Sequence, residues 1–92
     1  MYKIYILESK KNGRHYIGFT KDIKARLLQH NIGKVKSTRH IRPLKLVYTE
    51  DYQTASDARR REYHLKRLKS KQAIQHLIDQ CGPLAQVVRA RS

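Results

Sequence analysis

Five side chains of this 92-residue sequence could perform chemistry together: two tyrosines, an arginine, a histidine and a glutamate. Arg26 and His30 are four residues apart on a predicted helix, so both can face one site. Tyr5 and Tyr16 precede them, and Glu62 lies on a later predicted helix. A guanidinium stabilises charge on phosphoryl oxygens, one carboxylate is enough to bind Mg²⁺ beside a phosphate, and a tyrosine next to a histidine can transfer a proton. The set indicates a metal-assisted phosphodiesterase.

Each of these residues also has a structural interpretation. Glu62 has arginines and lysines around it, and ion pairs of this kind are common on helices. Arg26 can be an ordinary surface residue, and a lone histidine on a half-apolar face, such as His30, is often structural. Tyr5 and Tyr16 can pack against each other on paired strands. A tyrosine with an unperturbed pKa of about 10 is a poor base unless a cation or a histidine assists it.

An alternating strand and a hairpin are predicted to position the tyrosines. Residues 2–7 alternate, and Asn12-Gly13 supplies the positive φ angles of a tight turn, so residues 14–18 should return as an antiparallel strand. Gly18 closes this second strand, where a side chain would block the approach of a ligand to the backbone.

The first helix is predicted to begin with Thr20 as its N-cap and to stop at Gly33. After it, Leu44, Leu46 and Tyr48 alternate and predict a third strand with these three side chains on one face.

Two more helices are predicted after that strand. Thr54 followed by Asp57 resembles a capping box and opens a helix to about Lys69. A short third helix is predicted over residues 71–79. Residues 81–92 show no partner, and we expect a disordered tail there.

The predicted fold class is therefore α+β, with a three-stranded antiparallel sheet flanked by helices in the order β-β-α-β-α-α. The helices are expected to cover one face of the sheet, with the site on the other. Residues 1–80 would form a single domain, because a chain of this length buries only a modest core.

The charge predicts a polyanionic partner. Lys and Arg total 21 against 7 Asp and Glu, which gives a formal net charge of +14. Each phosphate that such a surface neutralises releases counterions and adds salt-sensitive affinity. A solubilising surface, a ribosomal-type RNA binder and a small adaptor that docks on an acidic protein are the alternatives. The basic side chains expected to contact nucleic acid are Lys34, Lys36, Arg39, Arg42, Arg59, Arg60 and Arg61.

One cysteine, Cys81, cannot form an internal disulfide, which favours a reducing cytoplasm. The apolar run at the start of the sequence is too short for a signal segment or a membrane span, so we expect no membrane association.

The spacing of these motifs resembles a known family. With Lys3-Ile4-Tyr5, then Tyr16-Ile17-Gly18, then Arg26, the chain closely resembles the GIY-YIG endonuclease superfamily, and most of all its small stand-alone members. The resemblance covers about residues 2–78. Its specificity lies in the joint spacing of these motifs and Glu62.

The resemblance implies a divalent-metal-dependent endonuclease that acts on DNA, with RNA not excluded, in DNA repair or recombination. It implies that Glu62 binds one Mg²⁺ or Mn²⁺ ion, that Arg26 clamps the scissile phosphate and that His30 acts beside a tyrosine in proton transfer. Of the tyrosines, Tyr5 is favoured as the general base and Tyr16 as an orienting group, although the sequence leaves this order open. A protein partner could supply substrate specificity. The alternative is a non-catalytic nucleic-acid-binding module that retains the fold.

Overall fold

This computed structural model describes residues 1–68 and 71–80, together with the backbone of residues 85–88. The order of elements agrees with the predicted β-β-α-β-α-α arrangement through the third helix. The elements are β1 (Tyr2–Ser9), β2 (His15–Thr20), α1 (Ile23–Asn31), a 3-10 turn (Arg39–Ile41), β3 (Leu44–Tyr52), α2 (Ala55–Lys66), α3 (Lys71–Gln80) and β4 (Ala85–Val88).

The predicted three-stranded antiparallel sheet is confirmed for β2, β1 and β3, with β1 in the centre. A fourth strand, β4, pairs in parallel with β3, from Tyr48 opposite Ala85 to Asp51 opposite Val88. This strand lies within residues 81–92, where a disordered tail was expected, and the other residues of that range lie outside the described part of the chain. The outer edge of β3 offers backbone groups with which another strand can pair. The sequence did not predict β4, because a four-residue strand is too short to show an alternating pattern.

Helices cover both faces of the sheet, so the expectation that they would cover only one face is wrong. α2 and α3 pack on the face of β1 that carries Ile4 and Ile6, and α1 packs on the face that carries Tyr5 and Leu7. The physical reason lies in β1 itself. Its residues 4–7 are all fully buried, and a strand that is apolar on both faces needs cover on both.

A β-bulge in β3 moves Tyr48 to the face opposite the one predicted. Ile6 of β1 pairs with Tyr48, whereas the next residue, Leu7, pairs with Leu46, so one extra residue is inserted at Val47. Because such an insertion reverses the side-chain alternation, Leu46 faces α1 while Tyr48 faces α2 and α3.

The hairpin is wider than a tight turn at Asn12-Gly13, since residues 10–14 connect the two strands. Gly13 has the predicted positive φ of 77°, and its N–H donates to the carbonyl oxygen of Ser9 at 2.9 Å. The Ser9 hydroxyl also accepts from the N–H groups of Lys11 and Asn12, which stabilises the longer loop.

The helix boundaries are largely as predicted. Asp22, rather than Thr20, caps α1, because its carboxylate accepts from the N–H of Ala25 at 3.1 Å. Gly33, with φ of 87°, follows the end of α1 as expected. The hydroxyl of Thr54 caps α2 as predicted, and this helix ends at Lys66, three residues before the expected end.

A buried carboxylate fastens α2 to the sheet. Glu50 is fully buried, and its two oxygens accept hydrogen bonds from the guanidinium of Arg61, each at 2.9 Å. The hydroxyls of Tyr48 and Tyr52 donate to the same carboxylate. Burial alone would raise the pKa of Glu50, but the hydrogen bonds from Arg61 and the two tyrosines outweigh it and lower the pKa. Glu50 therefore stays ionised as the anchor of α2.

None of the helices in the described ranges is both long enough and apolar enough to cross a membrane.

Candidate active site

Four of the five predicted catalytic residues meet between the β1–β2 hairpin and α1. The ring centroids of Tyr5 and His30 are 5.8 Å apart, those of Tyr16 and His30 are 4.9 Å apart, and those of the two tyrosines are 6.4 Å apart. The guanidinium of Arg26 adjoins the same rings, since its Nε lies 3.4 Å from the Tyr5 hydroxyl. The spacing of these residues in the sequence therefore does correspond to one cluster.

The hairpin register explains why the tyrosines share a face. Tyr5 pairs with Gly18 and Leu7 pairs with Tyr16, so the two tyrosines lie diagonally across neighbouring strands. A Cβ at Gly18 would lie 2.6 Å from the Tyr5 hydroxyl oxygen and 2.8 Å from its ring. Gly18 is thus needed for the close approach of Tyr5, a reason that the sequence did not indicate.

Arg26 connects the buried cluster to the surface. Its Nε donates to the Tyr5 hydroxyl, and its Nη1 donates to the Gln29 side chain at 3.0 Å. The hydrogen bond to Tyr5 raises the pKa of Arg26, so this side chain keeps its positive charge. It is only partly buried, so its guanidinium can also reach an anion in solvent.

His30 is fully buried at the base of the cluster. Its Nε2 lies 3.1 Å from the Tyr5 hydroxyl and its Nδ1 lies 2.8 Å from the hydroxyl of Thr38. Burial lowers the pKa of His30 to about 4, and the charge of Arg26 acts in the same direction. The imidazole is therefore neutral at physiological pH, with one nitrogen free to accept a proton.

The Tyr5 hydroxyl lies between a positive charge and a proton acceptor. Burial raises the pKa of Tyr5 above its ordinary value of 10.0, and this effect exceeds the lowering by the hydrogen bond from Arg26. Tyr5 is therefore protonated in this state, and its hydroxyl lies 3.1 Å from the Nε2 of His30.

Glu62 approaches the cluster from α2, on the other side of the sheet. Its negative charge contributes to the raised pKa of Tyr5, so it lies within electrostatic range of that hydroxyl. The side chain is 19% exposed and forms an ion pair with Lys66 at 3.2 Å. Across residues 1–68, 71–80 and 85–88, no three His, Cys, Asp or Glu side chains group as a metal site. A cation at Glu62 would therefore need oxygens from water and substrate, which is how Mg²⁺ often binds.

The predicted phosphate contacts after α1 are exposed but partly engaged. Lys34 and Lys36 lie at the surface. The Nε of Arg39 donates to the carbonyl oxygen of Gly33 at 2.9 Å, and the Nε of Arg42 donates to the carbonyl oxygen of Arg39 at 2.8 Å. These hydrogen bonds hold the loop in place, so its positive charges lie together between Lys34 and Arg42.

The three consecutive arginines of α2 do not share one role. Arg59 is exposed and its guanidinium lies 5.7 Å from the Phe19 ring centroid, and Arg60 is exposed and pairs with Asp57 at 3.5 Å. Arg61 was predicted to contact nucleic acid, but its guanidinium is committed to the buried Glu50, which it binds through two hydrogen bonds. The contact of Arg61 with nucleic acid stays a prediction, while the structure shows this guanidinium bound to Glu50.

Sequence reasoning missed two features of this region. Thr38, the partner of His30, is fully buried, but a threonine eight residues after a histidine follows no recognisable pattern. The second feature is a cleft of about 480 Å³ between β2 and the two later helices, whose lining includes Tyr16 and the cationic residues Arg14, Lys66 and Lys71. The high net charge hinted at such a surface without locating it.

Comparisons with known proteins agree with the fold and the motif spacing. The family model of the GIY-YIG catalytic domain matches residues 1–75. A UPF0213 protein of Staphylococcus epidermidis is 45% identical over 64 residues, which cover 68% of this chain and 77% of that protein. A UPF0213 protein of Halobacterium salinarum is 39% identical over 69 residues, covering 74% and 88%.

A solved structure is also similar. The solution NMR structure of a UPF0213 protein from Bacillus halodurans superposes with a TM-score of 0.56 at 36% sequence identity, covering 90% of this chain and 89% of that one. The fold is that of a GIY-YIG domain. The chain belongs to the GIY-YIG catalytic domain family, and its relatives include the small UPF0213 proteins.

Proposed function

We propose that this chain is a divalent-metal-dependent endonuclease that hydrolyses phosphodiester bonds of DNA. The observation that carries the proposal is the Tyr5 hydroxyl, which contacts both Arg26 and the neutral, buried His30. A purely structural tyrosine does not need a charged guanidinium on one side and a proton acceptor on the other. Both contacts are what a phosphate-directed proton transfer requires.

In the proposed reaction, water attacks phosphorus and its proton passes to the oxygen of Tyr5. The proton that Tyr5 already holds moves to the Nε2 of His30, 3.1 Å away. The bond from Arg26 to Tyr5 is long, at 3.4 Å, so the guanidinium can turn to the scissile phosphate and free the tyrosine oxygen for the water. Tyr16, less buried than Tyr5, would orient the water or the phosphate.

Glu62 is the residue that would hold one Mg²⁺ or Mn²⁺ ion. It fits this role because its carboxylate is partly exposed, and a bound ion would take the place of Lys66, which pairs with it at 3.2 Å. When bound, the ion would supply positive charge that stabilises the phosphoryl oxygens in the transition state.

The exposed basic residues would hold the flanking DNA backbone without reading its sequence. Charge on the loop after α1, from Lys34 to Arg42, and on α2, at Arg59 and Arg60, supports this role. The GIY-YIG domain of the chain also implies a nucleic-acid substrate, and RNA remains an alternative to DNA. The proposed setting is DNA repair or recombination in the cytoplasm, where a protein partner would supply substrate choice.

The proposal is tested by substituting Glu62→Gln, which removes the charge of the proposed ligand and keeps its shape. Cleavage of duplex, flap, nicked, branched and single-stranded DNA is measured with Mg²⁺ or Mn²⁺, and DNA affinity is measured with the metal chelated. We expect lost cleavage and nearly unchanged affinity. Asp57→Asn, another carboxylate on α2, is the matched control and should cut normally. A Glu62→Gln protein that cuts at the normal rate would contradict the assignment.

A non-catalytic nucleic-acid-binding module is the second candidate. The ion pair between Glu62 and Lys66 and the burial of Tyr5, which is 1% exposed, favour it, because neither group is freely offered to a substrate. This function predicts DNA binding by the unaltered protein with no cleavage on any substrate of the panel in either metal.

A further inference from the structure

Thr38 contacts the active-site histidine from the side opposite the tyrosine. It is fully buried, and its hydroxyl oxygen lies 2.8 Å from the Nδ1 of His30 and 3.4 Å from the carbonyl oxygen of Val35. A hydroxyl has one proton to donate, and a carbonyl oxygen can only accept. With the Thr38 proton directed to Val35, the Thr38 oxygen is the acceptor of an Nδ1–H of His30, an arrangement that satisfies both contacts.

The other end of the chain of contacts leads to the same assignment. The Tyr5 oxygen accepts from the Nε–H of Arg26, so its own proton is the one available to His30. That proton can be donated only to a nitrogen that carries none. With Nε2, at 3.1 Å, as the bare nitrogen and the histidine proton on Nδ1, every one of these contacts pairs a donor with an acceptor.

The backbone around Thr38 fixes this hydroxyl in place. The N–H of Thr38 donates to Val35 and its carbonyl oxygen accepts from the N–H of Ile41, both at 3.1 Å. The next turn is held in its place by the hydroxyl of Ser9, which donates to the carbonyl oxygen of Ile41 at 2.6 Å. The loop that carries Thr38 is thus attached to β1, the strand that also carries Tyr5.

We propose that Thr38 is a positioning residue that holds His30 in the Nδ1–H tautomer, so that Nε2 can receive the proton of Tyr5. This inference rests on the proposed nuclease function for its catalytic consequence. In the step, an O–H bond of water breaks, its proton joins the Tyr5 oxygen, the Tyr5 O–H bond breaks and an Nε2–H bond forms. The water oxygen bonds to phosphorus, the bond to the leaving oxygen breaks, and that oxygen takes a proton from solvent.

Thr38 has a second effect in this scheme. Once Nε2 is protonated, His30 carries a positive charge in a fully buried position. The Thr38 oxygen still accepts from Nδ1–H and so stabilises that charge, because hydrogen bonds from ionised donors are stronger than neutral ones.

The test compares Thr38→Val, which keeps the shape and removes the hydroxyl, with Thr38→Ser, which keeps the hydroxyl. The ¹⁵N chemical shifts of the His30 ring report its tautomer directly. We expect a protonated Nδ1 and a bare Nε2 in the unaltered protein and in Thr38→Ser, and a shift towards the Nε2–H form in Thr38→Val. An Nε2–H tautomer in the unaltered protein, or an unchanged tautomer in Thr38→Val, would overturn the proposal.

Cleavage provides the second measurement. Thr38→Val should lower the single-turnover rate by about 10²-fold at unchanged DNA affinity, and Thr38→Ser should restore most of it. Equal losses in both variants would overturn the positioning role. If Thr38→Val does not fold, the spectrum of the unaltered protein and the serine variant still decide. A protein that cuts no substrate contradicts the proposed nuclease function instead, and the NMR measurement tests the tautomer without it.

Discussion

Replacing Arg61 with leucine should lower the stability of this protein far more than replacing its exposed neighbour, Arg60. Arg61 is the only one of the two whose partner is fully buried: its guanidinium makes two hydrogen bonds of 2.9 Å to Glu50. Arg61→Leu leaves the carboxylate with tyrosine hydroxyls and no cation. Removing one partner of a buried ion pair costs about 3–5 kcal/mol, because the remaining charge is uncompensated.

The assay is urea unfolding followed by circular dichroism, with the thermal midpoint as a second readout. A loss of about 3–5 kcal/mol lowers the midpoint by at least about 12 °C, at about 4 °C per kcal/mol for a chain of this size. Arg60→Leu breaks an exposed pair with Asp57 and should lose less than about 1 kcal/mol. The double variant Glu50→Gln/Arg61→Leu removes both charges and keeps an acceptor for the tyrosines, so it should be more stable than Arg61→Leu alone.

Lowering the pH should narrow the difference in unfolding free energy between the Arg61→Leu variant and the unaltered protein. In the unaltered protein the pKa of Glu50 is lowered, so its contribution to stability is present above the unfolded pKa and is lost as pH falls through the folded one. Without Arg61 the buried charge of Glu50 has no cation beside it, so protonation of Glu50 relieves that charge as pH falls. Equal stability of the Arg61→Leu and Arg60→Leu proteins would refute the anchoring role of Arg61. If Arg61→Leu instead lost DNA affinity at unchanged stability, the result would support the predicted contact of Arg61 with nucleic acid.

Three further predictions follow from the site. Gly18→Ala should displace Tyr5, because the new Cβ would lie 2.6 Å from its hydroxyl, and we expect about 1–3 kcal/mol lower stability in urea and at least about 10²-fold slower single-turnover cleavage; normal cleavage would contradict the contact. With His30 as proton acceptor, kcat/KM should rise with pH through about 4 and stay level above it, since only neutral His30 accepts, whereas a limb near 6.5 in the pH profile would show an unperturbed histidine. Lys34→Ala with Lys36→Ala should weaken binding to all DNA sequences alike and lower the salt slope by about two, and a changed base preference in a binding panel would instead show that this loop reads sequence.

The sequence predicted the clustering of four of the candidate side chains better than it predicted the packing around them. The hairpin register and the helical period are local. The spacing of the residues is therefore enough to predict that the two tyrosines share a face of the sheet and that Arg26 and His30 share a face of α1. Thr38 joins them only through the path of the loop after α1, which no local pattern encodes.

The errors in the predicted fold have similar causes. The consecutive buried residues 4–7 were interpreted as an alternating strand, although a continuous apolar run indicates burial on both faces. The bulge at Val47 reverses the faces of β3, and a one-residue insertion of this kind leaves no mark in the sequence. Arg61 looks like its neighbours in the sequence, and only the tertiary contact with Glu50 separates it from them.

The anchored arginine also determines how accurately α2 is positioned. Arg61 immediately precedes Glu62 in the sequence, so the residue next to the proposed metal ligand is fixed to a buried carboxylate of the central sheet. A helix that slipped by one residue would rotate Glu62 by about 100° around the helix axis. The ion pair of Glu50 and Arg61 therefore fixes the register of α2. It sets the rotation of α2 against the sheet, and with it the direction in which Glu62 faces the groups that α1 supplies from the opposite side.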